Sequence, residues 1–274
     1  MDKFNYEKTT WGAGDASLKI SDPTAFRLKI SLNFLDVLEN KGKVLEIGCG
    51  EGQFIRAIKK YSSLLDCYGS DISQNAIDKA KNHNDGVRYF ISQENRLPFE
   101  DNLFDAVLIY DVLEHVKNPE IILKEINRVL KKGGLFYAFV PCEGDYISFW
   151  FLLKKTGLGT DLTFKYAGHI NYFSRKGLFS LLKKSNFEIL QIRYSEHVFG
   201  QLLGVVSFYL MDKKSKREKN EQLNNEKYFN SFKQRSFGLF TVFKKMINSL
   251  IYVESLILRV LPSPNVHIQA KNNK

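Results

Sequence analysis

The chain contains 274 residues, of which 44% are hydrophobic and 26% charged, a composition typical of a folded soluble protein. Its net charge of +10 at pH 7 favours a negatively charged neighbour: nucleic acid, an anionic membrane surface or an acidic substrate. There is no signal-peptide pattern and no apolar run long enough to span a membrane, and the three cysteines lack metal-ligand spacing. We therefore expect a cytoplasmic protein with reduced cysteines and predict no metal site.

The first 42 residues are predicted to form an N-terminal helical segment. Within it, residues 22–42 have the pattern of an amphipathic helix, with Asp22 as its cap, Pro23 in its first turn and residues 40–42 at its end. Short apolar strands then alternate with helices, which predicts an α/β fold with a mostly parallel sheet covered on both faces. The predicted strands are residues 44–47, 67–70, 87–91, 106–110, 135–140, 187–194 and 265–270, and the predicted helices are residues 53–61, 74–82, 119–130 (closed by "KKGG") and 176–184.

Two segments interrupt this alternation. Residues 141–174 are rich in aromatic side chains and are predicted to be irregular. Residues 195–264 contain two apolar runs, separated by a polar stretch that has eight Lys or Arg and four acidic residues between Met211 and Arg235. If "NVHIQA" (residues 265–270) is a final antiparallel strand, this second segment is an insert that emerges at the carboxyl edge of the sheet.

The stretch "VLEIGCGEGQF" (residues 44–54) places glycines at alternate positions directly after the first predicted strand. A dinucleotide-binding fingerprint needs its third glycine one position later, where Gln53 stands. The carboxylate of Glu46 would repel a pyrophosphate and suits a ligand with an ammonium group. Asp71, at the end of the second strand, can accept hydrogen bonds from two ribose hydroxyls. S-adenosylmethionine carries both groups with no phosphate between them; the alternative is a turn that only packs helix on strand.

Four stretches resemble the successive motifs of class I, Rossmann-like S-adenosylmethionine-dependent methyltransferases: "VLEIGCGEGQF", "YGSDIS", "LPFEDNLFDAVLIYDVLEHVKNP" and "EINRVLKKGGLFYAFVP". They are most similar to the small-molecule and lipid methyltransferases that include the ubiquinone-biosynthesis enzymes. The resemblance implies a seven-stranded sheet with an antiparallel last strand, built from residues 43–194 and 265–272. It also implies S-adenosylmethionine as the cofactor.

The resemblance further implies which residues bind this cofactor. Gln93 stands where the family usually has an aspartate that contacts the adenine amino group; the glutamine carbonyl can accept the same hydrogen bond, and Glu94 is the fallback. The residues predicted to bind the cofactor are Glu46, Gly48, Cys49, Gly50, Asp71, Ile72, Gln93, Glu94 and Tyr110.

His169 is the predicted catalytic residue because it lies in the segment after the fifth strand, and an imidazole of near-neutral pKa suits proton removal from a hydroxyl. The alternative is a histidine that anchors its loop. His115 is predicted to orient the turn after the fourth strand. Cys142 follows a proline, as in cytosine methyltransferases, but their other motifs are missing, which weakens a nucleic-acid function.

These features predict methyl transfer to a small-molecule acceptor that is hydrophobic or linked to a lipid or glycan, with O-methylation favoured. The alternative is an RNA methyltransferase, or a non-catalytic member of the fold that binds nucleic acid. The mainly helical, basic insert (residues 195–264) is predicted to cover the acceptor side and to meet an anionic membrane at its inner face. The competing interpretation is a helical hairpin packed on its own domain or on a second copy in a homodimer.

Overall fold

Seven strands form one sheet in the computed structural model, which describes residues 5–7, 9–14, 16–22, 24–39, 41–157, 162–218 and 239–274. In chain order the strands are β1 (Lys43–Ile47), β2 (Asp66–Asp71), β3 (Arg88–Ile91), β4 (Phe104–Tyr110), β5 (Leu130–Pro141), β6 (Phe187–Ser195) and β7 (Asn265–Asn272). Their order across the sheet is β3-β2-β1-β4-β5-β7-β6. Strands β1 to β5 pair in parallel, whereas β7 is antiparallel to both neighbours. The predicted seven-stranded, mostly parallel α/β sheet is confirmed.

Helices connect the strands and cover the sheet. They are α1 (Ala25–Leu35), α2 (Gln53–Tyr61), α3 (Gln74–Lys81), α4 (Pro119–Val129), α5 (Phe149–Lys155), α6 (Leu162–Ala167), α7 (Arg175–Lys184), α8 (Phe199–Glu218) and α9 (Leu239–Leu258). No helix within the described parts of the chain is long and apolar enough to cross a membrane.

The core lies on both faces of the sheet because successive strand side chains point to opposite sides. Val44 and Leu108 pack with apolar side chains of α1, α2 and α3. Leu45 and Val107 pack on the other face with side chains of α4 and α7. This double burial explains why the central strands are apolar throughout instead of alternating with polar residues.

The N-terminal helix is shorter than its pattern predicts. α1 begins after Thr24 and is followed by a single 3-10 turn at Asp36–Leu38. The prediction that Asp22 caps the helix is wrong, because its carboxylate accepts hydrogen bonds from the amide and hydroxyl of Thr24 in a local turn. Pro23 and Asn40 lie outside the described residues.

Two further predictions, both of secondary structure next to or within β5, are wrong. The "KKGG" stretch does not end the helix as predicted but belongs to β5, since Leu130 already pairs with Phe104. An irregularity in the pairing follows, and Leu135 then pairs with Ala106. The segment after β5 is also more regular than predicted, because it contains the short helices α5 and α6.

Candidate active site

A cavity of about 950 Å³ lies at the carboxyl ends of the parallel strands. Loops after β1, β2, β4 and β5 line it, together with the N-terminal segment and the inner side of α8. Ligands bind at this edge in open α/β sheets because the strand ends and helix starts meet there. All the predicted site residues line this one cavity: Glu46, Gly48, Cys49, Gly50, Asp71, Ile72, Gln93, Glu94, Tyr110 and His169.

The glycine loop needs its glycines for space as well as for conformation. Gly48 and Gly50 have φ values of 71° and 54°, in the left-handed region that disfavours other residues. A Cβ atom on Gly48 would lie 2.6 Å from the Val112 side chain, and one on Gly50 would lie 2.3 Å from the carbonyl oxygen of Trp11. The loop therefore lets the Val112 side chain and the Trp11 main chain approach it closely.

Glu46 is buried at the end of β1, with 2% of its surface exposed. One carboxylate oxygen accepts a hydrogen bond from the amide of Ile55 at 2.8 Å, in the first turn of α2. Burial raises the pKa of Glu46 well above its ordinary value, although this hydrogen bond favours the charged form. A cationic ligand beside it would stabilise the ionised carboxylate, which fits the predicted contact with an ammonium group.

Asp71 is fixed by two backbone amides. Its Oδ2 accepts from the amide of Gly50 at 2.8 Å, and its Oδ1 accepts from the amide of Ser73 at 2.9 Å. Burial nevertheless raises the pKa of Asp71. Each oxygen keeps a second lone pair, so the side chain can still accept from the two hydroxyls of a ribose.

The remaining predicted cofactor residues line the same cavity. Ile72 is exposed at 43%, which leaves an apolar surface for a flat ring. Gln93 pairs through its backbone with Arg96 in a short bridge, and this turn presents Gln93 and Glu94 to the cavity. The buried ring of Tyr110 stacks on Phe54, with 3.9 Å between ring centroids.

An N-terminal strap, residues 5–14 as far as they are described, crosses the glycine loop. The carbonyl oxygen of Trp11 accepts from the amide of Glu51 at 2.7 Å. The Arg56 guanidinium donates to the carbonyl oxygens of Gly12 and Gly14 at 3.1 and 2.9 Å. Tyr6, Trp11 and both glycines line the cavity, so the strap is part of the site, although sequence patterns did not identify it.

His169 pairs with a carboxylate that the sequence reasoning did not identify. Nδ1 of His169 lies 3.0 Å from Oε1 of Glu143, and both side chains are largely buried. Burial by itself lowers the pKa of His169, but the charge of the hydrogen-bonded Glu143 carboxylate, together with that of Asp111, raises it to about 9. Because the carboxylate accepts, Nδ1 carries a hydrogen, and Nε2 is the nitrogen left to exchange a proton with a ligand. Glu143 could have been found from its place just after β5, at the ligand-binding edge.

His115 lies beside His169, with 4.9 Å between the ring centroids. Its Nδ1 is 3.2 Å from the carbonyl oxygen of Gly168, which can only accept, so Nδ1 donates and Nε2 is bare. Burial and the neighbouring His169 lower the pKa of His115 to about 3, so it is neutral at pH 7. The contact with Gly168 anchors the loop before His169, whereas the predicted role of His115, to orient the turn after the fourth strand, stays a prediction.

Glu114 completes this cluster. It is fully buried, and neither carboxylate oxygen has a hydrogen-bond partner among the described residues. Burial and the charge of Asp111 raise the pKa of Glu114 well above its ordinary value. One ligand atom each from Glu114, His115 and His169 lie within 4.8 Å of one another, a spacing that suits a divalent cation as well as proton exchange.

Arg27 joins the N-terminal helix to two other parts of the site. Its guanidinium donates to Asp111, directly after β4, at 2.5 Å and to Glu196, directly after β6, at 3.1 Å. It also lies over the ring of Phe139, 3.7 Å from its centroid. Arg27 lines the cavity, so helix α1 contributes to the site. Sequence patterns had assigned α1 no such role.

The cavity thus has a buried acid near the glycine loop and a fixed carboxylate with free lone pairs at the end of β2. These groups fit S-adenosylmethionine better than a dinucleotide, whose pyrophosphate needs amides and positive charge. Residues 22–192, more than half of the chain, match a family described as a methyltransferase domain. The chain belongs to this methyltransferase family. It is an S-adenosylmethionine-dependent enzyme.

Two curated relatives are named as methyltransferases of quinone biosynthesis. Ubiquinone biosynthesis O-methyltransferase of Coxiella burnetii is 33% identical over 106 residues, which cover 36% of this chain and 44% of that enzyme. The ubiquinone/menaquinone biosynthesis C-methyltransferase UbiE of Desulfotalea psychrophila is 33% identical over 95 residues, covering 34% of this chain and 39% of that enzyme. This methyltransferase therefore aligns with less than half the length of either relative. Because one relative methylates oxygen and the other carbon, the similarity does not decide the atom methylated.

A solved structure with low sequence identity to this chain has the same fold. The solved structure of the [4+2]-cyclase SpnF superposes with a TM-score of 0.60 at 18% identity, covering 96% of this methyltransferase and 85% of that chain. At this identity the likeness shows the fold alone. The binding and catalytic roles of the individual cavity residues remain predictions from their chemistry and geometry.

Proposed function

We propose that this methyltransferase methylates a hydroxyl group of a small-molecule acceptor that is hydrophobic or linked to a lipid or glycan. The pairing of Glu143 with His169 carries this proposal, because a buried carboxylate that orients an imidazole is an arrangement that removes protons. An acceptor that loses no proton in the reaction would not need the Glu143–His169 pair.

The cofactor-binding half of the cavity has a defined set of residues. Glu46 and the glycine loop would hold the amino-acid end, Asp71 the ribose, and Ile72 and Gln93 the adenine. When bound, the sulfonium of S-adenosylmethionine supplies an electrophilic methyl group for in-line displacement. Because the sulfonium activates its own methyl group, this protein mainly aligns the acceptor and excludes water.

The acceptor half supports a hydrophobic substrate. Trp150 of α5, Phe164 of α6 and Phe208 of α8 line this part of the cavity with aromatic rings, and Trp150 packs edge-to-face on Phe208. Such rings bury a large apolar area and orient flat or aliphatic groups. His169 follows α6 directly, which brings its imidazole to the same part of the cavity.

In the proposed mechanism, Nε2 of His169 accepts the hydroxyl proton as the acceptor oxygen attacks. Before that it must release its own proton, because its raised pKa keeps the imidazole charged at neutral pH. A cationic cofactor bound in the same cavity would disfavour the charged form of this imidazole. Glu143 then stabilises the imidazolium that the transfer creates.

The unpartnered carboxyl group of Glu114 favours a second mechanism for the same reaction. A divalent cation held by Glu114, His115 and His169 would satisfy both buried oxygens and lower the pKa of a coordinated hydroxyl. Without a cation, we expect the buried Glu114 carboxyl group to be protonated and neutral, in keeping with its raised pKa. The two mechanisms predict different effects of chelators and of Glu114→Gln.

The test is transfer of labelled methyl groups to fractionated lipid and small-molecule extracts of the source cells, with extracted RNA as a parallel acceptor. We expect label in a hydrophobic, alkali-stable ether product. His169→Ala should lower turnover by about 10²–10⁴-fold and leave cofactor affinity unchanged by calorimetry. His83→Ala, which changes an exposed histidine outside the cavity, is the matched control. Labelling of RNA alone, or full turnover of His169→Ala on the identified acceptor, would overturn the proposal.

A further inference from the structure

Helices α8 and α9 each carry an exposed apolar face. On both helices the exposed apolar side chains recur every three or four residues, and the opposite sides are buried, as at Phe208, Met211 and Tyr252. A helix with one buried face normally exposes a polar one. The exposed apolar surface, as we name it, consists of Phe199, Leu202, Val206, Tyr209, Leu210, Val242, Phe243, Met246, Leu250, Val253, Leu256 and Ile257, continued by Val260 and Leu261 directly after α9.

The two helices are joined where α8 begins. Oε1 of Glu254, on α9, accepts hydrogen bonds from the amides of Val198 and Phe199 at 2.9 and 3.2 Å. This buried carboxylate satisfies amides that have no partner within α8. The start of α8 and the second half of α9 are therefore held together, and the side chain of Ile251 packs against Gly200.

α8 also separates the cavity from the exterior. Gly200, Gln201, Gly204 and Phe208 line the cavity, whereas Leu202, Val206 and Tyr209 on the same helix are exposed. Because Gly200 and Gly204 have no side chains, the main chain of α8 itself borders the cavity at these two positions. A hydrophobic acceptor that passes beside this helix moves from an apolar outer surface to an apolar cavity wall.

The charge around this surface is of one sign. Among the side chains of α8 and α9 that the structure describes, the exposed charged ones are Lys213, Lys216, Arg217 and Lys245. Arg259, which follows α9, is exposed as well. The acidic side chains described on these helices are engaged: Asp212 pairs with Lys165 and Lys216, and Glu254 is buried.

We infer that this surface docks on an anionic lipid bilayer, with α8 and α9 lying in the interface and the acceptor side of the cavity next to the membrane. The inference rests on the proposed function only for what the docking achieves, which is access to a lipid-linked acceptor. Long aliphatic side chains enter the acyl boundary and the flanking Lys and Arg meet lipid phosphates. A second copy of the chain would bring these cations against each other, and nucleic acid gives large aliphatic side chains nothing to contact.

Vesicle flotation with the full chain tests the inference without any acceptor. We expect binding to vesicles that contain phosphatidylglycerol at low salt, release at high salt, and little binding to phosphatidylcholine alone. A triple variant, Lys213→Gln with Lys245→Gln and Arg259→Gln, should weaken binding to the anionic vesicles by at least about tenfold.

The quadruple variant Leu202→Ser, Val206→Ser, Ile257→Ser, Val260→Ser should weaken binding to the anionic vesicles by at least about tenfold. Its control is Val37→Ser with Leu64→Ser, which changes exposed apolar residues away from α8 and α9. Unchanged cofactor affinity shows that each variant is folded, since none of these residues lines the cavity. Failure of the intact protein to bind anionic vesicles at low salt would overturn the inference, as would a stable dimer in ultracentrifugation that the quadruple variant makes monomeric. Neither result bears on the proposed methyl transfer, which the labelling experiment tests.

Discussion

Glu143 and His169 form a buried hydrogen-bonded pair, with 3.0 Å between Oε1 and Nδ1, although 26 residues separate them in the chain. Glu143 follows β5, and His169 follows the short helix α6. The second oxygen of Glu143 has no hydrogen-bond partner among the described residues, so its orientation depends on this pairing and on packing. The pair fixes which imidazole nitrogen faces a ligand.

The first prediction concerns the pH dependence of turnover. His169 must lose its proton before it can accept another, so kcat/KM should rise with pH until about pH 9. Glu143→Gln removes the charge that raises the pKa of His169, so the rising limb should move to lower pH by at least about one unit while the plateau falls. Glu120→Gln, at the exposed start of α4, serves as the control. Superimposable profiles for the wild type and Glu143→Gln would leave Glu143 with no role in positioning His169.

The second prediction concerns cofactor affinity. Asp71→Ala removes the acceptor for the ribose hydroxyls and should weaken S-adenosylmethionine binding by about 1–3 kcal/mol, measured by calorimetry. Asp78→Ala, on the exposed side of α3, should bind like the wild type. Tight NAD binding with no response to S-adenosylmethionine would contradict the assignment of the whole cofactor half.

The third prediction separates a proton-accepting site from a cation site. If Glu114 is a neutral acid, Glu114→Gln replaces it with a neutral group of the same shape, and turnover should stay within about threefold of the wild type. Chelation with EDTA should then have no effect. Loss of activity in both experiments, with recovery on adding one divalent metal to the wild type, would identify the Glu114, His115 and His169 cluster as a metal site instead.

The fourth prediction tests the contact between the glycine loop and the N-terminal strap. Gly50→Ala places a methyl group 2.3 Å from the carbonyl oxygen of Trp11, so the strap must move and cofactor affinity should fall by about tenfold or more. Gly86→Ala is a matched control, because Gly86 also has a positive φ, 78°, but its added Cβ comes no closer than 3.5 Å to a lysine side chain. Equal cofactor affinity in the two variants would show that the strap does not contribute to binding.

The fifth prediction concerns stability against acid. His267 is fully buried between the hydroxyls of Tyr137 and Ser195, at 2.7 and 2.8 Å, and burial together with the charge of Arg27 holds its pKa well below the ordinary value. The unfolded chain binds a proton at this histidine below about pH 6.5, and the folded chain does not. The contribution of His267 to the free energy of unfolding is therefore fully present above that pH and is lost as the pH is lowered. Urea unfolding of the wild type should show this loss, and the stability difference from His267→Gln should shrink between pH 7.5 and pH 5. A difference that does not change with pH would mean that His267 titrates alike in both states.

The sequence by itself determined the fold and the cofactor. Both depend on local patterns: apolar strands of four to eight residues alternate with amphipathic helices, and Glu46, the glycines and Asp71 follow the first two strands at fixed positions. Parallel strands bring their carboxyl ends to one edge, so residues placed after different strands necessarily share one cavity. Glu46, Asp71 and His169 were predicted from this order together with their chemistry, and Tyr110 from the family resemblance; all four line the cavity.

Only the tertiary structure decided how the site can act on protons. Residue spacing does not show that Glu143 reaches His169, that Glu114 is buried without a partner, or that Arg27 of the first helix bridges Asp111 and Glu196. These contacts join loops far apart in the chain, and their geometry follows from how the helices pack on the sheet. The expectation of a near-neutral His169 failed for the same reason, since neighbouring carboxylates raise the pKa of that imidazole to about 9. Burial and the distance between charges set a pKa, and both are properties of the folded chain.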